Sequence, residues 1–162
     1  CGDGLTPFGK EAVAKMEKLG IVPDVSHLNQ TGFWDVIEET RGSVIASHTA
    51  SNSVYSHCRN LTDSQFEAVR DKGGLVGLTL CGEHIGGQDF EALERHLYHF
   101  LSLDGEKTVA FGCDFDGFDL PGKWGGIQVM DEIYQYLQRK NYDNSLLFRL
   151  FFGNCYDFFT SV

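Results

Sequence analysis

The chain has 162 residues, of which 42% are hydrophobic and 22% are charged, so it can bury one hydrophobic core. Its formal net charge of −10 argues against a nucleic-acid partner, because phosphate binding requires a basic surface. No apolar run approaches the roughly 18 residues of a membrane span, and the first residues lack the pattern of a signal peptide. These totals predict a single α/β region over residues 1–162 with no internal domain boundary.

The helix and strand patterns begin with an N-terminal helix over residues 6–20, where Thr6 and Pro7 are typical of a helix start. A short β-branched run over residues 21–27 then ends in Ser-His. Residues 31–40 have helical spacing, and a second strand-like run over residues 43–48 again ends in Ser-His. The two histidines are therefore predicted to emerge from the ends of successive strands.

The rest of the chain continues this alternation of helices and strands. Thr62 and Gln65 form the capping-box pattern at the start of a helix that ends at Gly73. The remaining predicted elements are strands over residues 75–80 and 108–112, a loop over residues 82–87, helices over residues 90–101, 127–140 and 145–152, a glycine- and proline-containing loop after Asp116, and an aromatic tail.

Four buried strands alternating with helices predict a parallel sheet built from βαβ units. Four strands leave two architectures open. The chain can form a small doubly wound sheet whose edges need cover, or it can supply the last four β/α units of an eight-stranded (β/α)8 TIM barrel. In both architectures, active-site residues usually lie at the carboxyl ends of the strands.

Three side chains at strand ends are candidates for a metal site. His27, His48 and Asp114 each follow a predicted strand, and imidazole and carboxylate are suitable ligands for Zn²⁺. A single Ser-His at a strand end is more often a satisfied polar residue. Two such pairs and an aspartate favour metal binding more strongly, although structural histidines remain the alternative.

Other polar residues are weaker candidates. Arg59, in the loop after the second Ser-His, could hold a substrate carboxylate, although a solvated arginine is the commoner case. Asp116 precedes a glycine and fits a plain turn. We interpret His96 and His99 as structural helix residues, and we expect the loop histidines His57 and His84 to be exposed.

Cysteine usage gives a weak indication of compartment. The five cysteines are scattered and odd in number, and they contain no C-x-x-C pair, so we expect neither a disulfide framework nor a structural zinc knuckle. A reducing, cytoplasmic location is the simpler expectation, and an extracellular one is the alternative. The cysteines are Cys1, Cys58, Cys81, Cys113 and Cys155.

Seven motifs in this order and spacing resemble the membrane (renal) dipeptidase family. The intervals of 21 residues from His27 to His48 and 11 from His48 to Arg59 are those expected of that family. The motifs are Gly4-Leu5-Thr6-Pro7-Phe8-Gly9, Val25-Ser26-His27, Phe33-Trp34-Asp35-Val36, Ile45-Ala46-Ser47-His48, Arg59-Asn60-Leu61-Thr62-Asp63, Gly112-Cys113-Asp114-Phe115-Asp116-Gly117 and Gly153-Asn154.

The resemblance implies a (β/α)8 metal-dependent hydrolase with two zinc ions bridged by a water or hydroxide that attacks the peptide carbonyl of a dipeptide. It implies that His27 and His48 bind one zinc ion and that Asp114 is the acid/base residue. Arg59 would hold the C-terminal carboxylate of the substrate. Enzymes of this family also tend to accept a D-residue at the C-terminal position of the dipeptide.

The chain also departs from the family pattern. It contains no His-x-Asp motif for the first zinc ion, and no glutamate at a strand end before His27 to bridge the two ions. A further substrate-binding histidine of the family is also unmatched. The sequence therefore resembles the C-terminal half of such an enzyme and supplies zinc ligands for one ion.

Three hypotheses follow. The chain is an incomplete, inactive unit of a dipeptidase that needs an N-terminal half or a second chain, a non-catalytic half-barrel, or part of a different amidohydrolase-type enzyme. The Arg59-Asn60-Leu61 context favours dipeptide specificity over the different amidohydrolase-type activity. Exposed parallel edges also predict self-association of the isolated chain.

Overall fold

A parallel sheet lies at the centre of the structure, a computed structural model that describes residues 2–118 and 124–161. Its strands are β1 (Ile45–Thr49), β2 (Leu75–Leu78) and β3 (Val109–Phe111), in the order β1-β2-β3. Neighbouring strands run parallel, with Ala46 opposite Val76 and Val76 opposite Val109. All the strand carboxyl ends therefore lie at one edge of the sheet.

Helices fill the connections, as the alternating pattern predicts. They are α1 (Pro7–Lys18), α2 (Gln30–Glu39), α3 (Asp63–Asp71), α4 (Gly82–Ile85), α5 (Phe90–Ser102), α6 (Val129–Arg139), α7 (Asn144–Phe148) and α8 (Asn154–Ser161). A 3-10 turn at Gly105–Lys107 precedes β3. Among the residues described, no helix is long and apolar enough to cross a membrane.

Side-chain caps fix where several helices begin. The Thr6 hydroxyl accepts a hydrogen bond from Gly9 N at 3.1 Å, which satisfies one of the free amides at the start of α1. At α3, Thr62 and Gln65 form the complete capping box: the Thr62 hydroxyl accepts from Gln65 N, and the Gln65 side chain accepts from Thr62 N. Both predicted helix starts are confirmed.

The first predicted strand is wrong in its extent. Only Asp24 bridges to Ile45, through Val25 N to Ile45 O at 2.7 Å and Ile45 N to Pro23 O at 3.0 Å. Pro23 has no N–H to donate, and the Asp24 side chain accepts from Ser26 N, which bends the backbone into a turn. In place of the first predicted strand, the described residues thus contain a single bridge beside β1, so β1, β2 and β3 are their three strands.

The C-terminal segment was also predicted incorrectly, because it is helical beyond Gly153. A π-helical turn over Arg149–Gly153 leads directly into α8. The Asn154 side chain donates to Glu106 O at 2.8 Å and to Val109 O at 2.7 Å, which fixes the start of α8 beside β3. The predicted loop over residues 82–87 likewise contains the single helical turn α4. Part of the predicted glycine- and proline-containing loop, together with Cys1 and Val162, lies outside the described residues.

Alternating strand residues build two hydrophobic cores, one on each face of the sheet. Ala46, Val76 and Leu78 point into the larger core, which packs under α2, α3, α5 and α6. Ile45, Leu75 and Ala110 point to the other face, where Phe158 of α8 covers them. A parallel sheet normally has both faces covered, and here the C-terminal helix provides part of the second cover.

His96 is a structural residue of the larger core, as its helical position predicts. It is fully buried, its Nδ1 accepts from Ser51 N at 3.0 Å, and its Nε2 donates to Ile85 O at 3.2 Å. Burial lowers the pKa of His96 from its usual value to about 4. The neutral ring therefore joins the loop after β1 to α4.

We expect His96 to make the protein less stable as the pH falls from about 6.5 to about 4. In this range the unfolded chain takes up a proton that the folded ring cannot, so the free energy of unfolding decreases by about 1–3 kcal/mol. Denaturant unfolding across this range should show a smaller decrease for His96→Gln than for the wild type. NMR titration of the His96 ring with a midpoint near 6.5 would contradict the assignment.

Candidate metal centre

The fold brings two histidines from different strand ends into direct contact. His48 lies near the end of β1, and His27 follows the Asp24 bridge. Their Nε2 atoms are 2.8 Å apart, and the two rings are inclined by 64°. His27 has a φ of 72°, a left-handed conformation that L-residues rarely adopt outside constrained sites. This turn directs the ring towards His48.

Asp114 approaches the same ring nitrogen of His48. Its Oδ2 is 3.8 Å from His48 Nε2, although β1 and β3 are not neighbours in the sheet. Asp114 also has a positive φ, 56°, and its carbonyl accepts from Gly117 N at 3.0 Å. A Cβ at Gly117 would lie 2.4 Å from the Asp114 carboxylate, so a glycine there leaves room for this side chain. Asp116 is exposed in the turn, as expected.

Two glycines let the strand ends come this close. A Cβ on Gly77 would lie 2.0 Å from Ser47 O, and a Cβ on Gly112 would lie 1.8 Å from the same oxygen. The absence of both side chains allows β1, β2 and the segment after β3 to pack tightly at this level. His48 and Asp114 are thereby brought together across the intervening strand.

Arg59 is part of this cluster and is only partly exposed. Its Nη2 lies 3.3 Å from His48 Nε2, and its backbone carbonyl accepts from Thr49 Oγ1 at 3.0 Å. Among the residues described, the buried Nε atom of Arg59 has no hydrogen-bond partner. Arg59 is therefore not the solvated loop arginine that is the commoner case, and its guanidinium has a hydrogen-bond donor without a partner in the described residues, next to the histidines.

His57 and His84 also line the site, which the sequence reasoning missed. Both were expected to be exposed, yet both are half-buried, with ring centroids 4.8 Å apart. Asn60 holds the two loops together by donating to Tyr55 O at 2.9 Å and to His84 O at 2.7 Å. They lie in the loops after β1 and β2, beyond the strand ends themselves, and this placement at the carboxyl edge of the sheet is the signal that could have indicated them.

The local environment keeps two of these histidines neutral. Burial lowers the pKa of His84 to about 4, and the charges of His57 and Arg59 act in the same direction. Burial, followed by Arg59 and His48, lowers the pKa of His27 below its usual range. A neutral imidazole keeps the lone pair that a metal ligand must offer.

A cavity of about 390 Å³ opens beside the cluster and is lined by residues that include His27, His57 and Arg59. This volume is within the usual range of small-molecule sites. A larger cavity, of about 750 Å³, lies at the opposite end of the sheet beside Thr108 and Asn154. We associate chemistry with the smaller cavity, because it adjoins the convergent side chains.

The donor set fits a zinc ion in part. Two facing imidazoles with a carboxylate nearby have the right chemistry, and the buried His84 Nδ1, unpaired within the described residues, adds a free polar atom. However, no group of three or more His, Cys, Asp or Glu side chains is arranged to hold a metal ion in residues 2–118 and 124–161. A complete coordination sphere around an ion held by His27 and His48 would therefore need further ligands, from water or from residues outside those described.

Comparison with known proteins identifies the family and the fold of this chain. The sequence profile described as membrane dipeptidase (peptidase family M19) matches residues 2–162. The chain belongs to the membrane dipeptidase family. Its helices and strands superpose on a metallopeptidase of Rhodobacter sphaeroides, crystallised with a phosphinate mimic of the dipeptide L-Ala-D-Ala, with a TM-score of 0.91 and 32% identity. The match covers 96% of this chain and 46% of that one.

Two curated relatives of this chain are also matched over only part of their length. The uncharacterized protein in the pqqA 5′ region of Klebsiella pneumoniae is 32% identical over 160 residues, which are 94% of this chain and 59% of the relative. The uncharacterized dipeptidase C965.12 of Schizosaccharomyces pombe is 30% identical over 119 residues, 70% of this chain and 29% of the relative. The chain thus spans about half the length of the proteins it matches, and its fold is part of the TIM-barrel-like metal-dependent hydrolase fold.

We expect Gly77→Ala to destabilise the protein by about 1–3 kcal/mol, because the new Cβ would overlap Ser47 O and push the strand ends apart. The measurement is the free energy of unfolding in denaturant. Gly42→Ala is the matched control, since the closest atom to its Cβ is Glu17 Oε1 at 3.8 Å. Equal stability of the two variants would show that the strands do not need this close approach.

Proposed function

We propose that this chain forms the C-terminal half of a zinc-dependent dipeptidase and supplies one side of its active site. The observation that carries this proposal is the cluster around one atom, His48 Nε2. His27 Nε2 lies 2.8 Å from it, Arg59 Nη2 3.3 Å and Asp114 Oδ2 3.8 Å. Family membership over residues 2–162 supports dipeptide hydrolysis as the reaction.

In this proposal His27 and His48 are ligands of one zinc ion. When bound, zinc lowers the pKa of a coordinated water towards about 7 and polarises the peptide carbonyl. His27 is suited to the task because burial and the nearby charge of Arg59 lower its pKa and keep its ring neutral. The first zinc ion and the bridging carboxylate require residues that this chain does not contain.

Asp114 transfers the proton of the attacking water in this proposal. Its carboxylate, side chain 31% exposed, borders the histidine pair without a hydrogen bond that would immobilise it in the described residues. It accepts the proton of the attacking water and delivers it to the leaving amine, as a general base and then a general acid. The left-handed backbone at Asp114 directs the carboxylate to this position.

Arg59 binds the substrate. A guanidinium pairs with a carboxylate through two parallel hydrogen bonds, and Arg59 has a buried Nε without a partner among the described residues. A carboxylate held there would place the scissile bond of a dipeptide near His48. We extend the proposal to dipeptides with a C-terminal D-residue, since the Rhodobacter relative was crystallised with a mimic of L-Ala-D-Ala.

The incomplete ligand set and the uncovered sheet edge support an incomplete catalytic unit. In the described residues β3 pairs only with β2, so its other edge is free to pair with another strand. We propose that an N-terminal half, or a second chain, occupies this edge and completes the metal centre. We also propose a cytoplasmic location, since the four described cysteines are all free thiols.

We expect the isolated 162-residue chain to show no dipeptidase activity with zinc, and activity to appear when an N-terminal half-barrel is added. The missing ligands are the physical reason. The measurement is release of D-Ala from Gly-D-Ala at saturating zinc. Robust hydrolysis by the isolated chain would overturn the half-site proposal. A chain that binds no zinc, alone or reconstituted, would favour the non-catalytic half-barrel.

We expect Arg59 and Asp114 variants of the reconstituted enzyme to differ in kinetics. Arg59→Met should raise KM about 10- to 100-fold, because charge-assisted hydrogen bonds to the carboxylate are lost. Asp114→Asn should lower kcat about 100- to 10,000-fold with little change in KM, because the proton acceptor is gone. Arg139→Met, on the exposed end of α6, is the control. The opposite assignment of KM and kcat effects would contradict these roles.

A further inference from the structure

The carboxylate of Asp24 links the two Ser-His segments. It accepts hydrogen bonds from Ser26 N at 2.9 Å, from Ser47 N at 3.1 Å and from the Ser47 hydroxyl. An ionised carboxylate has acceptors only, so every one of these contacts has the donor on the serine side. Although burial opposes ionisation, the hydrogen bonds from Ser47 and Ser26 hold the pKa of Asp24 below its ordinary value.

The Ser47 hydroxyl transmits the effect of Asp24 to the imidazole of His48. Its oxygen lies 2.9 Å from His48 Nδ1. Because the single hydroxyl hydrogen points to Asp24, the Ser47 oxygen acts as the acceptor towards His48. The hydrogen of the neutral His48 ring is therefore on Nδ1, and the Nε2 lone pair is free.

Contacts on the opposite side of the ring favour the same tautomer. Arg59 Nη2 lies 3.3 Å from His48 Nε2, and a guanidinium can only donate. His48 Nε2 must then be an acceptor in this contact. His27 Nε2, 2.8 Å away, is the donor of the pair when no ion lies between the rings. Both sides of the His48 ring thus agree.

We propose that Asp24 and Ser47 are positioning residues, which fix His48 as the Nδ1–H tautomer so that the Nε2 lone pair faces His27. Hydrogen bonds of this kind to the outer nitrogen orient histidine ligands in metal sites and raise their basicity. The consequence for zinc rests on the proposed function. The tautomer itself is a property of the protein without metal.

The same carboxylate also fixes the relative position of the two strand ends. Asp24 accepts from the backbone amides of Ser26 and Ser47, the residues that precede His27 and His48. The Ser26 hydroxyl in turn accepts from His48 N at 3.2 Å. Asp24 thus acts on both histidines, through the backbone on His27 and through the Ser47 hydroxyl on His48.

The first test is the tautomer of His48, measured from the ¹⁵N shifts and two-bond couplings of its ring in the metal-free protein at neutral pH. In the wild type the hydrogen should be on Nδ1. In Asp24→Asn the amide oxygen can take the two backbone bonds, and the amide NH₂ then donates to the Ser47 oxygen. The hydroxyl is left to donate to His48 Nδ1, so the ring should switch to the Nε2–H tautomer.

Serine variants provide an independent route and the controls. Ser47→Ala removes the acceptor of the Nδ1 hydrogen and leaves only the longer Arg59 contact, at 3.3 Å, to favour that form, so a mixture of tautomers should result. Ser47→Thr keeps a hydroxyl and should retain the Nδ1–H form. Ser43→Ala removes a hydroxyl that donates to Lys72 O, at 3.0 Å, away from the histidines, and should not change the ring. If Asp24→Asn fails to fold by circular dichroism, the Ser47 pair decides the question.

The second test is zinc affinity, from competition with a chromophoric chelator. Asp24→Asn and Ser47→Ala should bind zinc about 10- to 100-fold more weakly than the wild type, and Ser47→Thr and Ser43→Ala should bind like it. A wild-type ring with its hydrogen on Nε2, or an unchanged tautomer in Asp24→Asn and Ser47→Ala, would overturn the proposal. The expected tautomers without zinc binding by any form would instead overturn the proposed function.

Discussion

The close approach of three strands at Ser47, Gly77 and Gly112 is the constraint on which the candidate site depends. A Cβ at either glycine would lie within 2.0 Å of Ser47 O, so only glycine allows this packing. Its consequence is that residues of β1 and of the segment after β3 meet although β2 lies between them. The distance of 3.8 Å from His48 to Asp114 follows from this packing rather than from sequence proximity.

Backbone conformation completes the arrangement at the two ends of the cluster. His27 and Asp114 both have positive φ, at 72° and 56°. Such residues cost of order 1 kcal/mol and persist where surrounding contacts hold them. Here the contacts are the turn at Asp24 and the close approach of Gly117 to the Asp114 carboxylate. Both of these residues lie where the candidate side chains converge.

The described residues combine a cluster of candidate site residues with a sheet edge at β3 that pairs with no further strand among them. Its fold is that of part of a membrane dipeptidase, and it covers 46% of the Rhodobacter structure. Helix α8 covers one face of the sheet through Phe158, which gives the three strands a core on both sides. The candidate metal ligands converge, but in the described residues no group of three or more such side chains could hold a metal ion.

The sequence by itself determined the family, the parallel α/β architecture and most helix boundaries. Capping residues such as Thr6 and Thr62 act locally, so their effect can be read without knowledge of the fold. The strand-end positions of His27, His48 and Asp114 were also apparent, because parallel strands place their ends at one edge. Their roles as ligands and proton carrier remain predictions.

Only the tertiary structure decided how these residues are supported. The first Ser-His run shortened to a bridge because Asp24 forms a turn, and the C-terminal tail became α8 because Asn154 bonds to backbone carbonyls 45 and 48 residues away in the chain. The partial burial of His57 and His84 likewise depends on Asn60 bridging two loops. These are long-range contacts that local periodicity does not encode, and they set which polar groups are buried, oriented and available for chemistry.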